Sequence, residues 1–434
     1  MDAARVAKNT GFLYARIIVN IIVSLYSTRL VLEALGVEDF GIYNLVAGVI
    51  AMLAFLNSSM AEASLRFMAF AHGEENTKRQ KYVFNVSLVL HFLIAIGVVL
   101  ILEAAGYFLF KAVLEIPEDR VRVAKLVYQY MLVSTFFTII KVPYDAVLKA
   151  HENMLIVALI GILEAILKLL IAIYLSYTTF DQLVVYGVLM AALAVLLIII
   201  SFIYCHNKYE EVHINVTKHW DTILFKEMGT FASWSFLTHA AFVITMQGST
   251  IVLNSFFGVI VNAAQGISNQ VSNQLKNFLG TMQTALNPVI IKREGKKDRS
   301  KMLEASMFGN KISFFVISFL SIPLLIEMPY ILNLWLKDVP EFAVIFVRFQ
   351  IIRLVISTLT QSFYVAIVAI GAIKKFSIWE SIVLIAVLPA SYLLYKLGAA
   401  PEIIYLNLII SSLFIAIIRT YFLNQLGGLS ISLF

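Results

Sequence analysis

The sequence predicts an all-α polytopic membrane protein of about twelve transmembrane helices. They form two six-helix bundles related by a pseudo-two-fold axis along the membrane normal, with a central cavity. Three observations predict this. The 434 residues are 60% hydrophobic and 14% charged, where a soluble domain carries about a quarter charged residues. Apolar runs of bilayer-spanning length recur from end to end. The two halves also share an ungapped register at an offset of 222 residues: Gly36-Val37 falls on Gly258-Val259, Met60 on Met282, Ala63 on Ala285 and Gly73 on Gly295.

Six runs fall at residues 11–34, 40–61, 82–102, 126–148, 154–177 and 183–205. After the polar connection "HNKYEEVHINVTKHWD", six more fall at 222–257, 261–291, 308–335, 342–371, 376–397 and 403–426. The first is too long for a signal-peptide core and lacks a small-residue cleavage pattern, so it is expected to be a retained helix. The lone Cys205 excludes an internal disulfide and a multi-cysteine metal site. Six spans per half is an even number, so the lobes, 1–212 and 213–434, share an orientation. That is the design of parallel-repeat transporters, with substrate bound between the lobes.

The cations set the orientation. Arg5 and Lys8, then Arg66, Lys78, Arg79 and Lys81, then Lys141 and Lys149 share one side with Lys208, Lys218 and Lys226, with the six cations of "KREGKKDRSK", and with Lys374 and Lys375. Opposite loops are poorer: "EALGVEDF" is acidic, "SYTTFD" and "NSFFGVIVN" carry no cation, and "KDVPEF" is mixed. The third loop is the exception, with Lys111, Arg120, Arg122 and Lys125 beside Glu103, Glu115, Glu118 and Asp119. The positive-inside rule therefore predicts cytoplasmic termini in a multi-pass protein. The net charge of +6 follows topology, and no nucleic-acid partner is expected.

Polar residues inside spans mark the candidate site. In span eight, Asn262, Gln265, Asn269, Asn273, Lys276, Asn277, Gly280, Gln283, Thr284 and Asn287 recur at three- and four-residue steps, which places them along one stripe. Amides can glue helices together, but a stripe through the full thickness points to a hydrated cavity. Lys276 lies at its middle, where an ammonium needs a partner. In span ten, Arg353, Ser357, Thr360, Gln361 and Tyr364 share a face, and Arg348 can either join the cavity or snorkel outward. Span seven adds Trp234, Thr238, His239, Thr245 and Gln247. His239 can titrate or simply bond a neighbouring helix.

Glu164 and Lys168, four residues apart in span five, form either a self-neutralising pair or an ion-coupling carboxylate with its partner. Glu380, and Glu62 with Arg66, are expected at interfaces. Pro323 and Pro329 flank Glu327, where span nine is expected to break. In the first span Arg16 and Arg29 bracket twelve uncharged residues, about 18 Å of helix against a hydrocarbon core of roughly 30 Å. Either both snorkel, or at least one lies within the membrane for a reason. Arg29 also stands four residues before Glu33 and can pair with it. No P-loop, H-E-x-x-H or G-x-S-x-G occurs and "HENM" lacks a second histidine, so neither enzyme activity nor a cofactor is expected.

Three segments carry a family resemblance: "RLVLEALGVEDFGIYNLVAGVIAMLAFLNSSM", "KVPYDAVLKAHENM" and "IPLLIEMPYILNLWLKDVPEF". The chain resembles the Wzx-type polysaccharide and O-antigen flippases of the MOP (multidrug/oligosaccharidyl-lipid/polysaccharide) superfamily along its whole length. The resemblance implies two six-helix bundles around a cavity with alternating access. It also implies movement of an undecaprenyl-pyrophosphate-linked oligosaccharide across the bacterial inner membrane, in polysaccharide or lipopolysaccharide biosynthesis. The implied partners are that lipid-linked oligosaccharide, membrane lipids, a polysaccharide polymerase with its chain-length machinery, and H+ or Na+. Under this reading Arg16, Arg29, Lys276 and Arg353 meet the pyrophosphate, while Asn269, Asn273 and Asn277 meet sugar. Glu164, Lys168 and His239 are the ion-coupling candidates.

Three rivals stand beside it. An ion-coupled multidrug or small-metabolite antiporter of the same superfamily would favour cavity acids over cations. A major-facilitator sugar porter would carry a G-x-x-x-D-R-x-G-R-R signature, absent from "FMAFAHGEENTKRQKY". A membrane polymerase would need a large outer loop, and none is present.

Overall fold

A chain this apolar has few options, because in hydrocarbon every backbone N–H and C=O must bond within its own segment. The computed structural model describes residues 3–51, 54–112, 116–336 and 338–430, and among them every regular element is an α-helix. Glu115 and Lys337, two of the loop charges weighed above, lie outside this set. Among the described residues nine helices are long and apolar enough to cross a membrane, and a bent pair makes a tenth.

Packing divides the chain into two compact units, Ala3–Gly229 and Thr230–Phe434. The first holds α1 (Ala3–Ala51), α2 (Ala54–Gly73), α3 (Thr77–Ala112), α4 (Val121–Ala150), α5 (Met154–Leu175) and α6 (Gln182–Lys208). Here α4 packs on α2, α3 and α6, and α1 lies along α5. The core mixes Ala95, Ala124 and Ala172 with Val98, Val127, Leu132 and Ile139. Small residues allow close helix approach where lipid gives no hydrophobic incentive to associate. Ser64 and Ser87 add a buried hydroxyl pair at 2.7 Å.

The long helix α7 (Thr222–Gly295) leads into α8 (Arg299–Trp335), α9 (Ala343–Thr358), α10 (Gln361–Ile370), α11 (Ile373–Lys396) and α12 (Ile403–Gly427). Within the second unit α12 packs against α9, α10 and α11, and α8 against α9 and α10.

The 222-residue repeat extends into backbone geometry. The expected loop after span one is a kink inside α1, at Gly36 (φ 74°, ψ 171°). Its counterpart Gly258 kinks α7 with nearly the same angles (φ 75°, ψ −169°). Glu75 and Lys297, again 222 apart, are both left-handed, at φ 55° and 59°. The next residues cap the following helices in the same way. Asn76 Oδ1 accepts from the Arg79 N–H at 2.9 Å, and Asp298 Oδ1 from the Lys301 N–H at 3.2 Å. Met60 and Met282 are buried, as are Ala63 and Ala285.

Two expectations need correction. Span ten is two helices bent by 43°. The Ser357 and Thr358 hydroxyls turn back onto the Leu354 and Val355 carbonyls, and Asn310 Oδ1 accepts the freed Ser362 N–H at 2.7 Å. Span nine, by contrast, stays helical through Pro323 and Pro329. Pro329 cannot donate to the Leu325 carbonyl, and Arg348 Nε does so instead at 2.9 Å. Arg348 thus caps a carbonyl left open inside a helix. In the third loop, whose four cations stand beside four acids, Arg120 is paired on both sides. Arg120 bridges Asp39, after the α1 kink, and Asp181, the N-cap of α6, with Nη1 2.7 Å from Asp181 Oδ2.

Two tests follow from this geometry. Neither kink glycine has an atom within 4 Å of a built Cβ, so Gly36→Ala and Gly258→Ala should each cost about 1–3 kcal/mol through backbone strain alone, read as similar drops in melting temperature. Burial would raise the Asp181 carboxyl, but hydrogen bonds from Arg120 and the Val184 N–H outweigh it and hold the group below its ordinary range. A carboxyl depressed by folding adds stability above that range, and the stability is lost as pH falls through the folded value. Stability should therefore decline on acidification below about pH 4, more shallowly in Arg120→Gln than in the parent, as measured by thermal unfolding across pH.

Candidate functional site

Each unit holds a cavity of about 400 Å³. In the second unit, α7 supplies Thr238, His239, Lys276 and Gln283, α9 supplies Gln350 and Arg353, and the α9–α10 break brings in Thr360 and Gln361. Helices α11 and α12 add Glu380 and Arg419. The wall is mixed, with Phe242, Leu279, Leu384 and Ile415 between the polar groups.

Lys276 and Arg353 share this wall and repel one another. The nearest acceptors for Arg353 Nη1 are neutral and weak: Gln350 Oε1 at 3.4 Å and Met246 Sδ at 3.7 Å. Gln350 Nε2 in turn donates to Asn269 Oδ1 at 3.2 Å. A guanidinium held this loosely, in one wall with an ammonium and in no ion pair among the described residues, is chemically fit to meet an anion.

The acid in this wall, Glu380, is already engaged. Arg419 Nη2 donates to Glu380 Oε1 at 2.6 Å, and Arg419 Nη1 to Gln361 Oε1 at 3.2 Å. The expectation that Glu380 is interfacial is therefore wrong: it is 3% exposed. The reason is register. Helix α11 begins at Ile373, so Glu380 lies two turns inside, roughly 10 Å along the axis.

The span-eight stripe is partitioned. Lys276, Gly280 and Gln283 line the cavity, Asn269 reaches it through Gln350, and Asn273 and Asn277 are exposed outside its lining. The side-chain oxygens of Asn262, Gln265, Gln283 and Asn287 are buried without a hydrogen-bond partner among the described residues. Such atoms need water or a hydroxyl-bearing ligand. Of the span-seven set, Thr238 and His239 line the cavity, Thr245 bonds back to the Ala241 carbonyl, and Gln247 is exposed.

The first unit's cavity is lined by Asn20, Ser24, Ser27, Thr28, Tyr43, Asn44, Tyr186, Glu164 and Lys168. Lys168 Nζ pairs with Glu164 Oε1 at 2.7 Å, both about two-fifths exposed. Arg16 and Arg29 line neither cavity. Arg29 is exposed on α1 and forms no ion pair with Glu33 among the described residues. Arg16 lies against α5 with its Nε buried and unpartnered. Gly161 makes room for it: a Cβ there would stand 2.5 Å from Arg16 Cδ. No group of three or more His, Cys, Asp or Glu side chains among the described residues is placed to hold a metal ion.

Sequence reasoning missed Gln350 and Arg419. Gln350 precedes Arg353 by three residues, so the same helical face contained it. Arg419 stands inside an apolar span, a signal in its own right, and a buried glutamate and arginine on neighbouring spans call for each other.

Residues 15–175 match the MatE family model. An uncharacterized membrane protein, EpsK, of Bacillus subtilis (strain 168) is 22% identical over 300 residues, 68% of this chain and 57% of that protein. The match thus spans little more than half of that relative's length. Among solved structures, the outward-facing conformation of a multidrug resistance MATE family transporter of the MOP superfamily aligns with a TM-score of 0.82 at 15% identity, over 97% of this chain and 95% of that one. A MOP superfamily transporter from Pyrococcus furiosus, described as having a binding pocket of reverse polarity that suggests a different function, aligns with a TM-score of 0.77 at 16% identity, over 96% and 95%. The chain is a multi-pass helical membrane protein with the two-lobed MATE fold.

The contact between Arg16 and Gly161 gives a test of stability. In a helix interior Gly→Ala ordinarily stabilises by about 0.5–1 kcal/mol. Gly161→Ala should instead destabilise while Arg16 is present, and regain the usual sign in an Arg16→Ala background, read as a double-mutant cycle of melting temperatures.

Proposed function

We propose that the chain is an alternating-access transporter of the MATE/MOP type, not an enzyme, whose cargo presents a negatively charged headgroup. In its finer form, the cargo is an undecaprenyl-pyrophosphate-linked oligosaccharide moved across a bacterial inner membrane, with both termini cytoplasmic. A single observation carries this reading. Among the described residues Lys276 and Arg353 of the second unit's cavity are in no ion pair, and Glu380, which shares their wall, is engaged by Arg419. A pyrophosphate would supply the missing charge through charge-assisted hydrogen bonds. The amide oxygen of Gln283, which lines the cavity and has no hydrogen-bond partner among the described residues, suits a sugar hydroxyl as donor. A polyprenyl tail can remain in lipid while the head crosses. Arg16, half-buried with an unpartnered Nε, is a further anion contact in the first unit. A polysaccharide polymerase and its chain-length machinery are then natural partners.

The second reading is an ion-coupled multidrug or small-metabolite antiporter. The multidrug resistance transporter among the structural neighbours favours it, and so does Glu164, whose pairing with Lys168 inside a cavity suits a carboxylate that exchanges a proton or sodium ion for its tether. The transporter from Pyrococcus furiosus, whose pocket of reverse polarity suggests a different function, shares this fold.

Reconstituted liposomes separate the two. The protein should translocate a pyrophosphate-linked glycolipid, and Lys276→Gln or Arg353→Gln should each slow it about tenfold or more, the loss of one hydrogen bond to a charged group. Translocation at the parent rate with both charges removed refutes the assignment. Drug efflux without glycolipid movement, with a pH or sodium dependence lost in Glu164→Gln, establishes the antiporter instead.

A further inference from the structure

Arg419 and its surroundings describe a site that is already filled. The guanidinium meets a carboxylate oxygen, Glu380 Oε1, at 2.6 Å. It also meets an amide oxygen, Gln361 Oε1, at 3.2 Å, and the face of the Tyr364 ring, 5.2 Å from its centroid. All four residues line the same cavity. A buried carboxylate, a neutral acceptor and an aromatic face are the three groups that together hold an organic cation. Here they come from α10 and α11, and the cation they hold is part of the chain, delivered by α12.

We propose that Arg419 is a tethered counter-cation that makes this cavity refuse cationic ligands, and so determines the sign of charge it accepts. This rests on the reading of the cavity as the cargo site and deepens it by naming the residue that excludes the competing cargo class. A free cation must displace a guanidinium that is covalently held beside its carboxylate, at an effective concentration no dissolved ligand matches. It must also do so against Lys276 and Arg353 in the same wall. The arrangement is specificity by occupation rather than by absence: the acid is retained, buried and unavailable. The second carboxylate oxygen, Oε2, is buried without a partner among the described residues, so the acid would become a strong acceptor as soon as its tether left.

The proposal concerns binding and is tested on purified protein, using tetraphenylphosphonium as the cationic probe and inorganic pyrophosphate as the anionic one. Calorimetry in matched detergent removes micelle partitioning. The parent should bind pyrophosphate and bind the phosphonium weakly. Arg419→Gln, with folding checked by its melting transition, should bind the phosphonium at least about tenfold more tightly, the equivalent of one cation–π contact with partial charge pairing. The double variant Arg419→Gln/Glu380→Gln should return to the parent value, because the carboxylate is the source of the gain. Its neutral pair replaces a buried ion pair, a change that folded proteins commonly tolerate. If Arg419→Gln does not fold, Glu380→Gln tests the same claim from the other side, since an untethered Arg419 should tighten pyrophosphate about tenfold and leave the phosphonium unchanged. A folded Arg419→Gln that binds the phosphonium no better than the parent overturns the proposal, as does a gain that persists in the double variant. A protein that shows the expected pattern yet moves no glycolipid refutes the cargo and leaves the counter-cation in place.

Discussion

Hydrocarbon offers no hydrogen bonds, and the protein is organised around that fact. Every departure from regular helix in the span-forming segments has to be repaired from within. Pro329 leaves the Leu325 carbonyl open, and Arg348 on α9 closes it. The break between α9 and α10 releases the Ser362 N–H, and Asn310 on α8 receives it. The kinks at Gly36 and Gly258 use the residue that reaches φ near +75° without steric cost. Tertiary contacts in both units therefore serve helix geometry as much as packing, and Arg348 is a structural side chain despite its charge.

The same constraint governs ionised groups. A charge away from water persists only with a partner or a purpose. Arg419 has Glu380, Gln361 and Tyr364; Arg120, at the ends of its helices, has Asp39 and Asp181; Lys168 has Glu164. Lys276 and Arg353 stand apart from this pattern, sharing a wall with each other and with neutral amides. Uncompensated like charges in one cavity are what a site for an anion looks like before the anion arrives. Among the described residues that line this wall, three cations, Lys276, Arg353 and Arg419, stand against one acid, Glu380, and that imbalance is the physical basis of the proposed anionic cargo.

Much of this was legible in one dimension. Hydropathy located the spans, and helical periodicity put Lys276 and Arg353 on the polar faces of their helices. The offset of 222 residues, noticed through a handful of common residues, reaches down to matched kinks, matched left-handed turns and matched caps. Other features resisted. Glu380 looked interfacial because a few residues of uncertainty at a helix start move a side chain by a full turn of depth. The α9–α10 break lacks the usual proline or glycine signal, because serine and threonine hydroxyls and the distant Asn310 produce it. The span-eight stripe divided because one helical face, wide enough to hold ten polar residues, meets more than one neighbour.

By itself the sequence determined the class of the protein: a helical membrane chain built from a repeated half, with cations buried among amides. Local chemistry is enough for that, since span length, periodicity and internal repetition are properties of consecutive residues. Only the tertiary structure decided which charges are spent and which remain available. Glu380 and Arg419 are 39 positions apart, Arg120 and Asp39 are 81 apart, and no periodicity connects residues on different helices. Whether a buried ion is a staple or a binding group depends on what stands opposite it, and that is settled by the packing of helix against helix.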